Sequence, residues 1–277
     1  MYLAACAAVF AVAYLLNILT ITLGYHRGLA HGALTLHPAL RRLVVHGGNW
    51  LTGLDPKAWV VMHRLHHAHS DTPLDPHSPV NVGLLGIARE QLRSYERVIV
   101  GLLKKDPTYT EHAADLDFPL NGLTRSNRWW LPYAVHAAVG LALGAGVGWL
   151  LGAAYFLGMM SHPVQGGLVN SLGHAVGPRN FDTGDNSRNN HLAAWLILGE
   201  GFQNNHHRYP ASARFSYKAH EVDLGYGAAL LLEKLGLLSI QRRLLIPRPP
   251  AGAPASAVSA PASAVGAQPD GMPGAGA

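Results

Sequence analysis

The chain has 277 residues, of which 49% are hydrophobic and only 13% charged, against about 25% charged in an ordinary soluble domain. That deficit points to a membrane, and one cysteine (Cys6) against seventeen histidines narrows the chemistry further. A lone thiol excludes a disulfide framework and a thiolate metal site, which leaves imidazole, carboxylate or amide oxygen to hold any metal. The net charge of +5 reflects membrane topology and implies no nucleic-acid partner.

Residues 1–25, MYLAACAAVFAVAYLLNILTITLGY, carry no charged side chain, and about 20 apolar residues suffice for a transmembrane helix. No basic region precedes this stretch and it runs straight into GYHRGLAH, unlike a signal peptide. The segment LVVHGGNWLTG (43–53) is too short to span and predicts a buried or interfacial helix. From Trp129 to Pro178 Lys, Arg, Asp and Glu are again missing, which predicts spans near 129–148 and 149–172. Their Gly and Ala content suits close packing of membrane helices. Twelve Lys and Arg lie between Arg27 and Arg128 and nine from Arg179 onward. The positive-inside rule therefore puts both basic regions in the cytoplasm, with Met1 and the 144–152 turn outside. The resulting domain runs over 1–246. Beyond it, 247–277 is rich in Pro, Ala, Gly and Ser and predicts a disordered tail.

Three histidine clusters fall on the cytoplasmic side: HRGLAH (His26, His31), HRLHH (His63, His66, His67) and QNNHH (His206, His207). Positions i, i+3 and i+4 share one face of an α-helix, so HRLHH presents three imidazoles together. His26 and His31, five apart, diverge by roughly 140° on an α-helix and suit two neighbouring ions better than one. His46, His112, His136, His162 and His220 read as structural.

The pattern HxxxxH, HxxHH and a late HxxHH between hydrophobic hairpins resembles the membrane fatty acid desaturases, most closely the Δ9, stearoyl-CoA desaturase-like branch. The likeness covers roughly residues 20–240, through ITLGYHRGLAH, WVVMHRLHHAHSDTPLDPHSP, NSLGH and SRNNHLAAWLILGEGFQNNHHRYP. The resemblance implies an all-α integral membrane protein: transmembrane hairpins capped by a cytoplasmic helical domain that holds two irons. Carried over residue by residue, the ligands are His26, His31, His63, His66, His67, His206 and His207. NSLGH adds His174 as a ligand and Asn170 as a contact through water. Gln203 stands in the first ligand position of the third box, where its amide oxygen either ligates iron or holds a water; His191 is a distant substitute. Asp71, Asp75, His77, Asn204 and Asn205 stand behind the ligands to orient them, although Asp75-Pro76 reads equally as a turn. The family has four spans and residues 1–25 match the second, so a start upstream of Met1 is expected.

The implied chemistry is removal of two hydrogens from an unactivated acyl chain with O2 as co-substrate, which a redox-active metal pair supports and zinc does not. The expected product is a Δ9 double bond; a hydroxylase on the same centre, or an impaired relative that only binds lipid or metal, are the alternatives. Animal stearoyl-CoA members read Trp-Ala-Arg-Asp before the second box, whereas this chain reads Trp59-Val60-Val61-Met62, so acyl-lipid stands beside acyl-CoA as carrier. Trp59, Trp195 and Phe202 are candidates to line the acyl tunnel. Electrons are expected from a separate carrier such as ferredoxin or cytochrome b5 with its reductase. The expected setting is the bacterial inner membrane in preference to the endoplasmic reticulum.

Overall fold

The computed structural model describes residues 1–244, so the predicted tail at 247–277 lies outside the described residues. The described chain is mostly helical. Its only strands, Leu34–Leu36 and Leu238–Ile240, pair antiparallel and staple the segment after the first helix to the C-terminal part.

The first helix is α-helical over Tyr2–Leu19 and continues as a π-helix over Thr20–Ala30. Together they make 29 residues, with a mean hydropathy of 2.2 over an 18-residue stretch, and among the described residues this is the one helix long and apolar enough to cross a membrane. The predicted second span becomes Leu131–Gly146. The third, expected over 149–172, is broken: Trp149–Met159 stops, Ser161 turns its hydroxyl back to the Gly158 carbonyl, and His162–Leu172 sets off afresh. Pro163 explains the break. It has no N–H to give and its ring clashes with the carbonyl four residues back, at Met159.

These apolar helices meet through glycine. A Cβ on Gly152 would sit 2.1 Å from the Gly140 carbonyl, and one on Gly158 would sit 2.7 Å from the Ala13 Cβ, so only glycine permits the approach. Large side chains such as Leu3, Leu141, Trp149 and Leu157 are left exposed on the same helices.

The remaining helices build the site. Asp55 caps the helix Pro56–His69 by accepting from the Lys57 and Ala58 N–H groups. Arg64 on that helix donates to the carbonyls of Leu29 and Ala30, tying it to the end of the π-helix. The predicted helix at 43–53 forms as a π turn, Leu43–Gly47, then Gly48–Thr52. It ends at Gly53, whose φ of +80° brings it under the Tyr133 ring. The short helix Gln203–Arg208 and the helix Leu224–Lys234 complete the frame.

Candidate metal centre

The π-helix changes the geometry of the first histidine pair. His31 N–H donates to the His26 carbonyl at 3.2 Å, an i→i+5 bond that closes one wide turn. Residues five apart therefore stack instead of diverging, and the two rings lie 5.1 Å apart. The expectation that they serve two ions was wrong for this reason: both belong to one group.

That group is His26, His31, His63, His67 and His206. Its Nε2 atoms converge, with 2.8 Å from His31 to His63, 3.1 Å from His63 to His67, 2.8 Å from His67 to His206 and 2.9 Å from His206 to His26. Each ring nitrogen offers either one proton or one lone pair. In a chain of four such contacts, about two at most can be full hydrogen bonds. The others set like poles together, a conflict that a cation between them removes.

A second group holds His66, His174 and His207. HRLHH thus does not act as one face: His63 and His67, at i and i+4, serve the first group and His66 the second. His206 and His207 divide in the same way. Each imidazole of the second group is held by a carboxylate on Nδ1: Asp75 at 2.9 Å from His66, Asp71 at 2.9 Å from His174, and Asp185 at 2.6 Å from His207. A carboxylate accepts, so Nδ1 carries the proton and Nε2 the lone pair. The three Nε2 atoms are buried, have no hydrogen-bond partner and lie within 4.8 Å of one another. Orphaned lone pairs facing each other, each on a carboxylate-backed ring, are the donor set of a metal site. Neutral imidazole suits first-row metals, iron included, so these residues fit the group that the family pattern implies.

The electrostatics keep the imidazoles neutral. Burial, then the neighbouring imidazoles, hold His63, His67 and His206 well below the ordinary histidine value. Burial also pushes His207 down to about 4, against the pull of Asp185. For Asp185 and Asp75 burial alone would raise the carboxyl. The hydrogen bonds and charges of His207 and His66 win, and both stay well below the usual carboxylate range.

Two anchoring carboxylates escaped the sequence reading. Asp185 lies in the loop GDNS, where an aspartate looks like a turn residue, and Glu200 lies three residues before Gln203 in plain sight. Glu200 accepts from His26 Nδ1 at 2.6 Å and from Arg27 at 2.8 Å. Arg27 is fully buried, pairs also with Asp223 at 3.0 Å, and stacks 3.8 Å over Phe215. The signal for Arg27 was present: an arginine beside a ligand histidine on an apolar helix is costly to bury unless paired.

The remaining expected residues divide. Asp71 and Asp75 stand behind ligand rings, and His77 stacks on His66 at 4.7 Å with its Nδ1 buried and unpartnered. Asn170 donates to Gln91 at 3.0 Å, and Gln203 donates to the Glu200 carbonyl at 2.8 Å; both line the same cavity. Asn204 and Asn205 do not orient the histidines directly. Asn204 accepts from the backbone of Asn180 and Phe181, and Asn205 bonds Asn180, Asn189, Phe215 and Glu221. They pin the loop that carries Asp185. Trp59 lines the cavity and stacks 5.0 Å from the His63 ring. Trp195 is 57% exposed, and Phe202 is buried against Ala194 and Phe215; neither lines that cavity. His191 lies against Phe202 and His220, away from both groups.

The family model described as fatty acid desaturase matches residues 2–224. Similar proteins include the sn-1 stearoyl-lipid 9-desaturase of Anabaena variabilis, 32% identical over 79% of this chain and 77% of its own. The acyl-CoA C20 Delta5-desaturase of Anemone leveillei is 34% identical over 84% of this chain and 71% of its own. A hex-5-enoyl acyl-carrier-protein acetylenase of Moorena producens is 30% identical over 80% and 72% respectively.

Proposed function

We propose, for a chain that belongs to the fatty acid desaturase family, a family of membrane-associated oxidoreductases, that it inserts a cis double bond, at Δ9, into a saturated long-chain acyl group. The observation that carries this reading is the convergence of eight histidines into two adjoining groups, five whose Nε2 atoms crowd against one another and three whose buried Nε2 atoms have no hydrogen-bond partner. His26, His31, His63, His67 and His206 would hold one iron. His66, His174 and His207 would hold the other, and Gln203 and Asn170, which line the cavity beside His26 and His63, would contribute an amide or a water.

Bound iron would supply the oxidising power that an unactivated methylene demands. The reaction balances as one –CH2–CH2– unit, O2, two electrons and two protons giving one –CH=CH– unit and two waters. The chain's own residues do the positioning. Asp71, Asp75, Asp185 and Glu200 keep Nδ1 of their histidines protonated, so that Nε2 stays free to ligate. Ile18, Ile21, Met62 and Ile197 wall the cavity beside the histidines. They exclude water and favour an alkyl chain over anything polar.

The electrons would come from an external carrier such as ferredoxin or cytochrome b5. The spans would be the first helix and the hairpin of Leu131–Gly146 with Trp149–Met159, the histidines facing the cytoplasm of a bacterial inner membrane. The exposed leucines and Trp149 on those helices support this arrangement, since a patch of that kind needs a cover. The test is expression in a host lacking its own desaturase, with a reductase supplied and fatty acids analysed by mass spectrometry. A new monoene unsaturated at carbon 9 is expected. A hydroxylated product, or none, overturns the proposal.

A further inference from the structure

His162 is half-buried and belongs to neither histidine group. His162 opens the helix His162–Leu172, and its Nε2 lies 3.2 Å from the indole Nε1 of Trp59. Indole N–H can only donate, so Nε2 is the acceptor and the imidazole proton sits on Nδ1. That Nδ1 is buried and has no partner. A buried donor without an acceptor is unfavourable and rare, and in a cavity wall it marks the place where a ligand's acceptor belongs.

Two cavities meet at this residue. The inner one touches His26, His63 and Gln203; the outer one, about 370 Å³, is walled by Tyr95, Trp129, Trp130 and Tyr133. His162, Met62 and Gln91 belong to both linings. The outer cavity is apolar and aromatic, with a volume in the ordinary ligand range. Neither lining holds a lysine or arginine, which the phosphates of a CoA or phosphopantetheine carrier would call for.

We propose that His162 is a specificity-determining residue: its Nδ1–H donates to the carbonyl oxygen of an acyl ester at the junction of the two cavities. The lipid's glycerol end then occupies the outer cavity and the acyl methylenes run inward past the histidines. The proposal rests on the acyl-desaturase reading above and adds to it a neutral lipid carrier and a fixed register. The carbonyl anchor sets how many carbons separate the ester from the methylenes beside the metal ligands. Trp59 spans that interval, its ring 6.3 Å from His162 and 5.0 Å from His63.

The test uses the full chain in detergent and two probes: a monoacylglycerol carrying a dibrominated octadecanoyl chain by an ester, and its octadecyl ether analogue, which lacks the carbonyl oxygen. Bromine quenches tryptophan fluorescence, so Trp59 in the inner cavity and Trp129 and Trp130 in the outer one report binding. The wild type should bind the ester about tenfold more tightly than the ether, the worth of one buried hydrogen bond. His162→Phe should bind both as the wild type binds the ether. His162→Asn, whose amide N–H overlies Nδ1, should restore the preference. Equal affinity of the wild type for ester and ether overturns the assignment, and that comparison does not depend on any variant folding. A preference that survives in His162→Phe overturns it as well. Stearoyl-CoA binding more tightly than the ester overturns the neutral carrier. Because binding is the readout, the result stands whether or not a monoene is formed. Where one is formed, His162→Phe should spread the double bond over neighbouring carbons and His162→Asn should not.

Discussion

Replacing Asp185 by asparagine should weaken one of the two proposed irons and leave the other in place. Asp185 accepts from His207 Nδ1 at 2.6 Å, and the two side chains are only 9% and 2% exposed, so solvent screening is small. The same carboxylate accepts from Thr183 Oγ1 at 2.6 Å and from Ser187 N–H at 3.0 Å, which holds it in place. Loss of a partner that orients a ligand imidazole lowers metal affinity by about 10- to 100-fold, or about 1.4 to 2.7 kcal/mol. Asparagine keeps the accepting oxygen and loses only the charge, so Asp185→Asn belongs at the tenfold end. Asp185→Ala strands the His207 N–H as well and belongs at the hundredfold end. The assay is iron per chain after equilibration against a graded chelator. Half of the iron should leave at about tenfold lower chelator and the rest should follow the wild-type curve, because Asp185 bonds His207 and none of the five-histidine group. Asp182→Asn is the control: its carboxylate is exposed and pairs with Arg179 at 3.6 Å. Asp185→Asn releasing iron along the wild-type curve, or losing both irons in parallel, refutes the reasoning.

Protons should unfold the metal-free chain from the neutral side. An unfolded chain binds histidine protons near pH 6.5, while folded His63, His67 and His206 resist protonation well below it and His207 does so to about 4. Their contribution is therefore whole above about pH 6.5 and shrinks as pH falls from there, by up to about 1.4 kcal/mol per unit for each group. Thermal melts of chelator-treated protein should show a lower Tm at pH 5.5 than at 7.5, and an equal or higher Tm counts against it. Gln203→His should raise iron affinity about tenfold by adding an imidazole one helical turn before His207; unchanged iron retention would mean that position 203 lies outside the coordination shell. Arg27→Met should cost about 3–5 kcal/mol in stability, because it strands the buried carboxylates of Glu200 and Asp223. A melt within about 1 kcal/mol of wild type would show those charges are compensated elsewhere.

Residue types and their local spacing determined much of this protein. Seven histidines in three boxes, the apolar first helix and the glycines of the hairpin are visible in the chain itself, because ligand chemistry and membrane burial each demand particular side chains at short intervals. Asp71, Asp75 and His174 came from the family resemblance, since an aspartate near a histidine box reads equally as a turn residue. How the histidines divide was not legible. That depends on a π turn at Thr20–Ala30, which stacks His26 over His31, and on one helix sending His63 and His67 to one group and His66 to the other. Asp185, Glu200 and His162 were hidden for a different reason. Each acts on a partner 22 to 174 residues away in sequence, and no local periodicity records such a contact. The break at Pro163 shows the two levels meeting: proline's missing N–H is a property of the sequence. Only the packed structure turns the new helix start into a half-buried imidazole with an unpartnered Nδ1 in the lining of the inner cavity.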